Sequence, residues 1–460
     1  MQQKKKCVLG IDLGTTHVKG LAVDSRGQTV YRAIHKPQLY RTEEGHYEQD
    51  PEEILTVVKS FVSHCQNQAH VEKIAFSAAM HSFLVVDDQF RPITRAWTWM
   101  DRRAQNVARE FRQQELGKSW YRRTGCPVHA MSPAMKWMAF SHVDVGLRPV
   151  ALRDWIFYSL THTWATDYSV AAASGLMTLE GEWDHDILTT LHLDETALPP
   201  IHTWDYSIND IILGGSDGAM AHYGLNVHGS TGVLTWGTSA AIRVTANTAE
   251  PEKFVPVGSF AYYLGPAQGY LIGQALSNAG NVLAWAANLL GMAIPVLIEQ
   301  ATEVLESRDS LPVFVPYLFG ERSPLWDEHL TAQFQSVRPE HHPSHFAGAV
   351  IVSLLGLLRG AYKRLAESIG PLEVLHVGSN LSQSSPWGQL VSQLFPIPLV
   401  TSTEEDGSSF GAAKLAAELQ QWDVSLPSYG DLSMPQKPSW RLLRRVDENL
   451  EHLKELVGAP

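Results

Sequence analysis

The sequence predicts an α/β protein of two large domains that arose by duplication. Three observations predict it. At 460 residues the chain is too long for a single hydrophobic core. Two hairpins with matching tips stand about half a chain apart. Short apolar strand candidates also alternate with helical stretches throughout.

The first hairpin is Cys7-Val-Leu-Gly-Ile-Asp-Leu-Gly14, a buried strand ending in a tight turn, with Thr16 to Asp24 returning. The second runs up through Gly232-Val-Leu-Thr-Trp-Gly237, turns at Thr238-Ser239 and returns through Ala240 to Thr245. The tips Gly14-Thr15-Thr16 and Gly237-Thr238-Ser239 agree in residue type and position. Asp50-Pro51-Glu52-Glu53 has the character of a helix start, with Pro and acids in the first turn. Lys73–Ser77 and Glu373–Val377 are strand candidates, and Phe346–Ile369 is a long helical pattern with a glycine break. The chain after Leu426 is proline-punctuated and closes on a short helix near Val446–Val457. The domain junction is expected near Tyr223–His228, dividing the chain into 1–225 and 226–460.

Composition narrows the function. An apolar fraction of 44% with 18% charged residues is that of a globular protein. A formal charge of −12 argues against a nucleic-acid-binding face, which needs clustered Lys and Arg. Cys7, Cys65 and Cys126 form neither a disulfide framework nor a metal cluster and point to a reducing compartment. The apolar run after Lys6 meets Asp12 too soon for a signal core or a membrane span. The expectation is a cytoplasmic protein without nucleic-acid or membrane partners.

Paired Gly-Thr tips suit phosphate: Gly14 and Gly237 let backbone N–H groups approach oxygens, and Thr15, Thr16, Thr238 and Ser239 add hydroxyl donors. Lys19 is placed to reach the same anion, and Asp12 to hold Mg²⁺ through water. Phosphoryl transfer also needs a base for the attacking hydroxyl. Asp217 in Gly214-Gly-Ser-Asp-Gly-Ala219 is the candidate, read as a carboxylate on a glycine-flanked loop. His341-His342 has no metal-ligand spacing and reads as solvent-exposed.

These motifs resemble, nearly end to end, the FGGY carbohydrate kinases. Gly10-Ile-Asp-Leu-Gly-Thr-Thr16 is similar to the family's first phosphate motif and Gly237-Thr238-Ser239 to its second. Met80-His81 and Trp99-Met-Asp101-Arg102-Arg103 resemble its sugar-site elements. Pro316-Tyr-Leu-Phe-Gly-Glu-Arg-Ser-Pro-Leu-Trp-Asp327 is similar to its signature. Within the family, the segment Thr124 to Pro133 with Lys136-Trp137 looks closest to gluconate kinases.

The resemblance implies two ribonuclease-H-like (actin-like ATPase) domains with ATP and sugar in the cleft between them. It implies that Asp217 accepts the hydroxyl proton and that Asp12 and Asp217 place Mg²⁺. His81, Trp99, Asp101, Arg103, Met131 and Lys136 would line the sugar site, with Arg103 and Lys136 as cations for a sugar acid. Gly280, Gly378, Ser379 and Ser382 would join the nucleotide site. Glu321, Arg322 and Trp326 of the signature are expected to serve packing.

The implied reaction is ATP-dependent phosphorylation of a sugar acid, foremost D-gluconate, with xylulose or a related ketose or polyol as the alternative acceptor. The sequence departs from the pattern on the nucleotide side. Ser379, Asn380 and Leu381 stand where the family keeps glycines, Ala240 replaces another, and Ala284 a polar residue. Crowding of the adenosine surface is therefore expected, and a sugar-acid sensor or weakly active paralogue is the competing class. The oligomeric state is left open, a homodimer being one option.

Overall fold

The computed structural model describes residues 4–140, 146–248, 258–307, 309–401, 407–424, 432–433 and 439–457. Two mixed sheets organise them. The first has the strand order Ser207–Ile208, Ile211–Ser216, His70–Ala78, Lys6–Leu13, Val18–Val23, Thr29–His35. Lys6–Leu13 lies mid-sheet and is buried on both faces after Lys6, which is why it reads as a continuous apolar run. It pairs antiparallel with Val18–Val23 and parallel with His70–Ala78.

The second sheet repeats that plan. Thr231–Trp236 pairs antiparallel with Ala240–Ala246 and parallel with Val374–Val377, beyond which lies Leu399–Thr401. Gly269–Leu276 continues the meander as the third strand, and Phe260–Gly265 adds an edge. The order third, second, first, fourth, fifth thus occurs twice, as the matched hairpins predict.

In each half a helix follows the fifth strand: Asp217–Leu225 in the first and Gly407–Leu419 in the second. These two helices pack on each other at Gly224 and Gly411. The helix Gly407–Leu419 also covers the first sheet, so close to Lys6–Leu13 that a Cβ on Gly10 would overlap the Ser409 carbonyl. The chain leaves the first sheet at Leu225, but a helix from its last quarter returns to complete that sheet's cover.

Asp50 caps the helix Pro51–Gln68, its carboxylate accepting from the Glu52 N–H at 3.0 Å. The helix Pro343–Ile369 runs unbroken through Gly356 and Gly360, where a break is expected from sequence. Those glycines instead admit the final helix: a Cβ on Gly360 would lie 3.1 Å from the Leu450 side chain. Pro343–Ile369 is long and apolar enough to cross a membrane, yet most of it is buried in the protein's own core. The last helix spans Trp440–Val457 and starts well before Val446, where the sequence suggests. Most of the proline-punctuated stretch before it, 425–431 and 434–438, lies outside the described residues.

Candidate active site

Asp12 is the last residue but one of the strand Lys6–Leu13, directly opposite Ser77 on the parallel neighbour. The Ser77 hydroxyl donates to its carboxylate at 2.8 Å. Asp217 is the first residue of the helix Asp217–Leu225, not a loop residue as the flanking glycines suggest, and its carboxylate accepts from the Gly218 N–H at 2.8 Å. The Met80 N–H also points at it. Burial pushes the Asp12 carboxyl up to about 6, with the charge of Asp217 adding to the rise. Burial likewise raises Asp217, against the pull of Arg243. Two carboxylates, Asp12 buried and Asp217 half-buried, therefore face one region and strain against sharing it.

That strain is what a divalent cation would relieve. Among the described residues no cluster of three or more His, Cys, Asp or Glu side chains could hold a metal. A pair of carboxylates suits Mg²⁺, which keeps waters and binds phosphate oxygens beside one or two acids. The residues present fit the ion.

His81 adopts a left-handed backbone (φ 65°) that turns its ring into the site. Its Nδ1 lies 2.8 Å from the Ala173 carbonyl and its Nε2 3.3 Å from the Tyr262 hydroxyl, which comes from the other half of the chain. Burial lowers the imidazole to about 3, so it is neutral at pH 7. Trp99 is half-buried, and the Arg322 guanidinium carbon stands 5.3 Å from its ring centre, again across the halves.

The other predicted sugar-site residues are engaged by the protein itself. Asp101 accepts from the Tyr47 N–H at 2.9 Å and from the Arg103 guanidinium at 2.7 Å. Arg103 also donates to Glu48 at 2.7 Å and lies 3.4 Å over the Trp97 ring. Lys136 is 0% exposed and donates to the carbonyls of His81 (2.6 Å), Thr98 (2.9 Å) and Trp97 (3.4 Å). Both expected sugar-acid cations thus hold the loops that carry His81 and Trp99. Met131, 2% exposed, packs in the apolar cluster with Cys126 and Tyr262.

At the first tip, Gln49 donates to the Gly14 and Thr15 carbonyls, leaving Thr16 exposed and Thr15 buried. Lys19 pairs with Asp12 in the strand register, where its charge favours the ionised carboxylate. The second tip abuts the helix Gly280–Leu290: the Gly280 N–H donates to the Gly237 carbonyl at 3.0 Å, and the Asn281 N–H to that of Thr238 at 3.2 Å. A Cβ on Gly280 would lie 2.5 Å from the Gly237 oxygen, so this approach needs glycine.

Two of the departures from the family pattern turn into the core, and one reaches the second tip. Leu381 turns fully into the core, Ala240 is buried, and Asn380 reaches the Trp236 carbonyl at 2.5 Å. Gly378 adjoins Asn380, and the Ser382 hydroxyl meets that of Ser384 at 2.9 Å. The Ser379 side chain is outside the described residues.

Sequence reasoning missed Arg243, Tyr262 and the reach of Arg322. Arg243 carries a readable signal, a lone charge inside the apolar strand Ala240–Ala246. Tyr262 sits in an aromatic run and carries none. Glu321 and Trp326 do serve packing: Glu321 accepts from the Ser277 N–H (2.6 Å) and Asn278 Nδ2 (3.0 Å), and the Trp326 indole donates to the Gly258 carbonyl. His342 caps the helix Pro343–Ile369, where His345 completes the cap.

Residues 7–218 match the N-terminal domain model of the FGGY family of carbohydrate kinases, and residues 232–418 its C-terminal domain model. The chain belongs to this family. As an FGGY kinase it has the two-domain, ribonuclease-H-like fold and is an enzyme that phosphorylates a sugar, with ATP as the family's phosphate donor. A gluconokinase of Bacillus subtilis (strain 168) is 29% identical over 449 residues, covering 89% of this FGGY kinase and 86% of the relative. A xylulose kinase of Staphylococcus epidermidis is 26% identical over 462 residues, covering 92% and 90%. Crystal structures of a xylulose kinase and of a gluconate kinase from Lactobacillus acidophilus each superpose with a TM-score of 0.86 at 24% identity, over 99% of this chain and 98% of theirs.

Proposed function

We propose that this kinase transfers the γ-phosphoryl group of ATP to D-gluconate, giving 6-phosphogluconate, with Mg²⁺ as cofactor. The observation that carries the chemistry is the approach of Asp217, at the start of the helix that follows Ile211–Ser216, to Asp12 two strands away in the same sheet, with both carboxyls raised. The choice of gluconate rests on the gluconokinase relatives.

In this reading Asp217 takes the proton of the attacking hydroxyl. Its raised pKa strengthens it as a base, and its place at a helix start fixes the carboxylate through the Gly218 and Met80 N–H groups. Asp12 and Asp217 would hold Mg²⁺, which when bound neutralises phosphate charge. Thr15, Thr16, Thr238 and Ser239, with the Gly14 and Gly237 backbones, would hold phosphate oxygens, and Gly280, Gly378, Ser379 and Ser382 would border the nucleoside. His81 and Trp99 would orient the sugar; neutral His81 donates through Nδ1 to the Ala173 carbonyl, which leaves Nε2 as an acceptor for a hydroxyl. Asp101, Arg103, Met131 and Lys136 would support that surface from behind.

The test is ATP consumption with Mg²⁺ against a panel of sugar acids, ketoses and polyols. Preference for D-gluconate supports the proposal; activity confined to xylulose, which the xylulose kinase relatives favour as the second reading, would replace the substrate. Asp217→Asn is expected to cut kcat by about 100-fold or more while sugar binding persists, the scale of a lost general base. Near-normal turnover removes Asp217 as the base.

A further inference from the structure

Arg243 and Arg322 are two guanidiniums from the second half of the chain that the reaction above leaves unused. Arg243 donates through Nη1 to the Thr235 hydroxyl at 3.1 Å, but its Nε is buried without a partner among the described residues. It reaches across to the catalytic helix, since a Cβ on Gly218 would lie 3.5 Å from that Nε. Arg322 donates through Nη2 to the Leu276 carbonyl at 2.7 Å, and its Nε too is buried with no partner among the described residues.

Neither guanidinium joins an ion pair among the described residues. The adjacent Glu321 spends its oxygens on the N–H groups of Ser277 and Arg322 and on Asn278. Asp217 favours the Arg243 charge only at longer range. The charge of Arg243 disfavours that of Arg322, and buried Tyr262 acts on both. Like charges near each other, each with a buried donor to spare, are what an anion would satisfy. A neutral ketose or polyol would leave both unmet, whereas a carboxylate offers two oxygens able to accept from two guanidiniums.

We propose that Arg243 and Arg322 together bind the carboxylate of the sugar-acid substrate, between the Trp99 face and the Asp217 end of the site. This deepens the gluconate reading and rests on it. The cations expected from sequence, Arg103 and Lys136, are already committed to Asp101, Glu48 and backbone carbonyls. The pair also puts acid recognition on the opposite half of the chain from His81.

The experiment compares kcat/KM for D-gluconate with that for D-glucitol, the polyol with CH₂OH in place of the carboxylate, in the wild type and four variants. Arg243→Met and Arg322→Met should each lower the gluconate-to-glucitol ratio at least about tenfold, mainly through KM, as loss of a charge-assisted contact requires. Arg243→Lys and Arg322→Lys keep the charge without the fork and should fall between. Turnover of glucitol reports that each variant is folded. An unchanged ratio, or equal losses on both acceptors as a role on the transferred phosphoryl would give, overturns the carboxylate site while gluconate remains the substrate. A wild type that takes neutral ketoses and no sugar acid overturns the gluconate reading and this site with it.

Discussion

The carboxyl of Asp12 sits about two pH units above that of a free aspartate, held there by burial and by Asp217. The folded protein therefore binds this proton more tightly than the unfolded chain, whose value is 3.8. The stability Asp12 contributes is complete below about pH 3.8 and lost as pH rises through about 6. At pH 7 the ionised group costs on the order of 2–3 kcal/mol. Asp12→Asn, which can still accept from Ser77, should accordingly melt higher than the wild type at pH 7, with the gap closing toward pH 4. A gap that persists or widens in acid would contradict this assignment. The same ionisation should make wild-type kcat/KM climb as pH passes about 6. Stability surrendered at a neutral-pH carboxylate is the mark of a residue kept for a ligand.

Between elements, the closest approach is that of the helices Asp217–Leu225 and Gly407–Leu419. A Cβ on Gly411 would overlap the Met220 carbonyl, and Gly224 faces Gly411 at contact distance. Gly411→Ala must push these helices apart, and the shift passes directly to Asp217 at the head of the first. It should cost about 1–3 kcal/mol in denaturant unfolding, the scale of overpacking, and lower kcat together with stability. Full activity with unchanged unfolding would show that this contact does not position the base. The elements were readable where one run of residues decides them. The hairpins at Gly14 and Gly237, the Asp50 cap and the strand at Lys73–Ser77 carry their own apolar run or cap. Asp217 was legible as a carboxylate among glycines but not as a helix start, because glycine on both sides signals a turn. The contacts of Lys136 with His81, of Arg103 with Glu48 and of Arg322 with Trp99 were not legible, because those partners lie tens to hundreds of residues away.

Across the whole molecule the two halves are joined through the segment 121–130. The Ala261 N–H donates to the Gly125 carbonyl at 2.9 Å, Ala130 to Glu328 at 2.9 Å, and Tyr121 bonds the Ser259 carbonyl. Beneath them, the helix Gly407–Leu419 supplies Phe410, Ala412, Ala413 and Ala416 to the apolar cluster that contains Val8, Leu21 and Ala75 of the first sheet. Residues 1–230 alone would expose that sheet face to water, and each fully buried side chain lost there forfeits about 1–3 kcal/mol. Duplication from two similar sheets suggests units that fold separately, but the returned helix argues for one cooperative structure. The expectation is a single calorimetric transition for the intact chain and, for the 1–230 fragment, a molten, dye-binding state without sharp near-ultraviolet dichroism. Adding the 231–460 fragment should restore order to the first, because the missing cover arrives with it. Two separate transitions in the whole chain, or a natively packed 1–230, would show instead that each sheet carries enough core of its own.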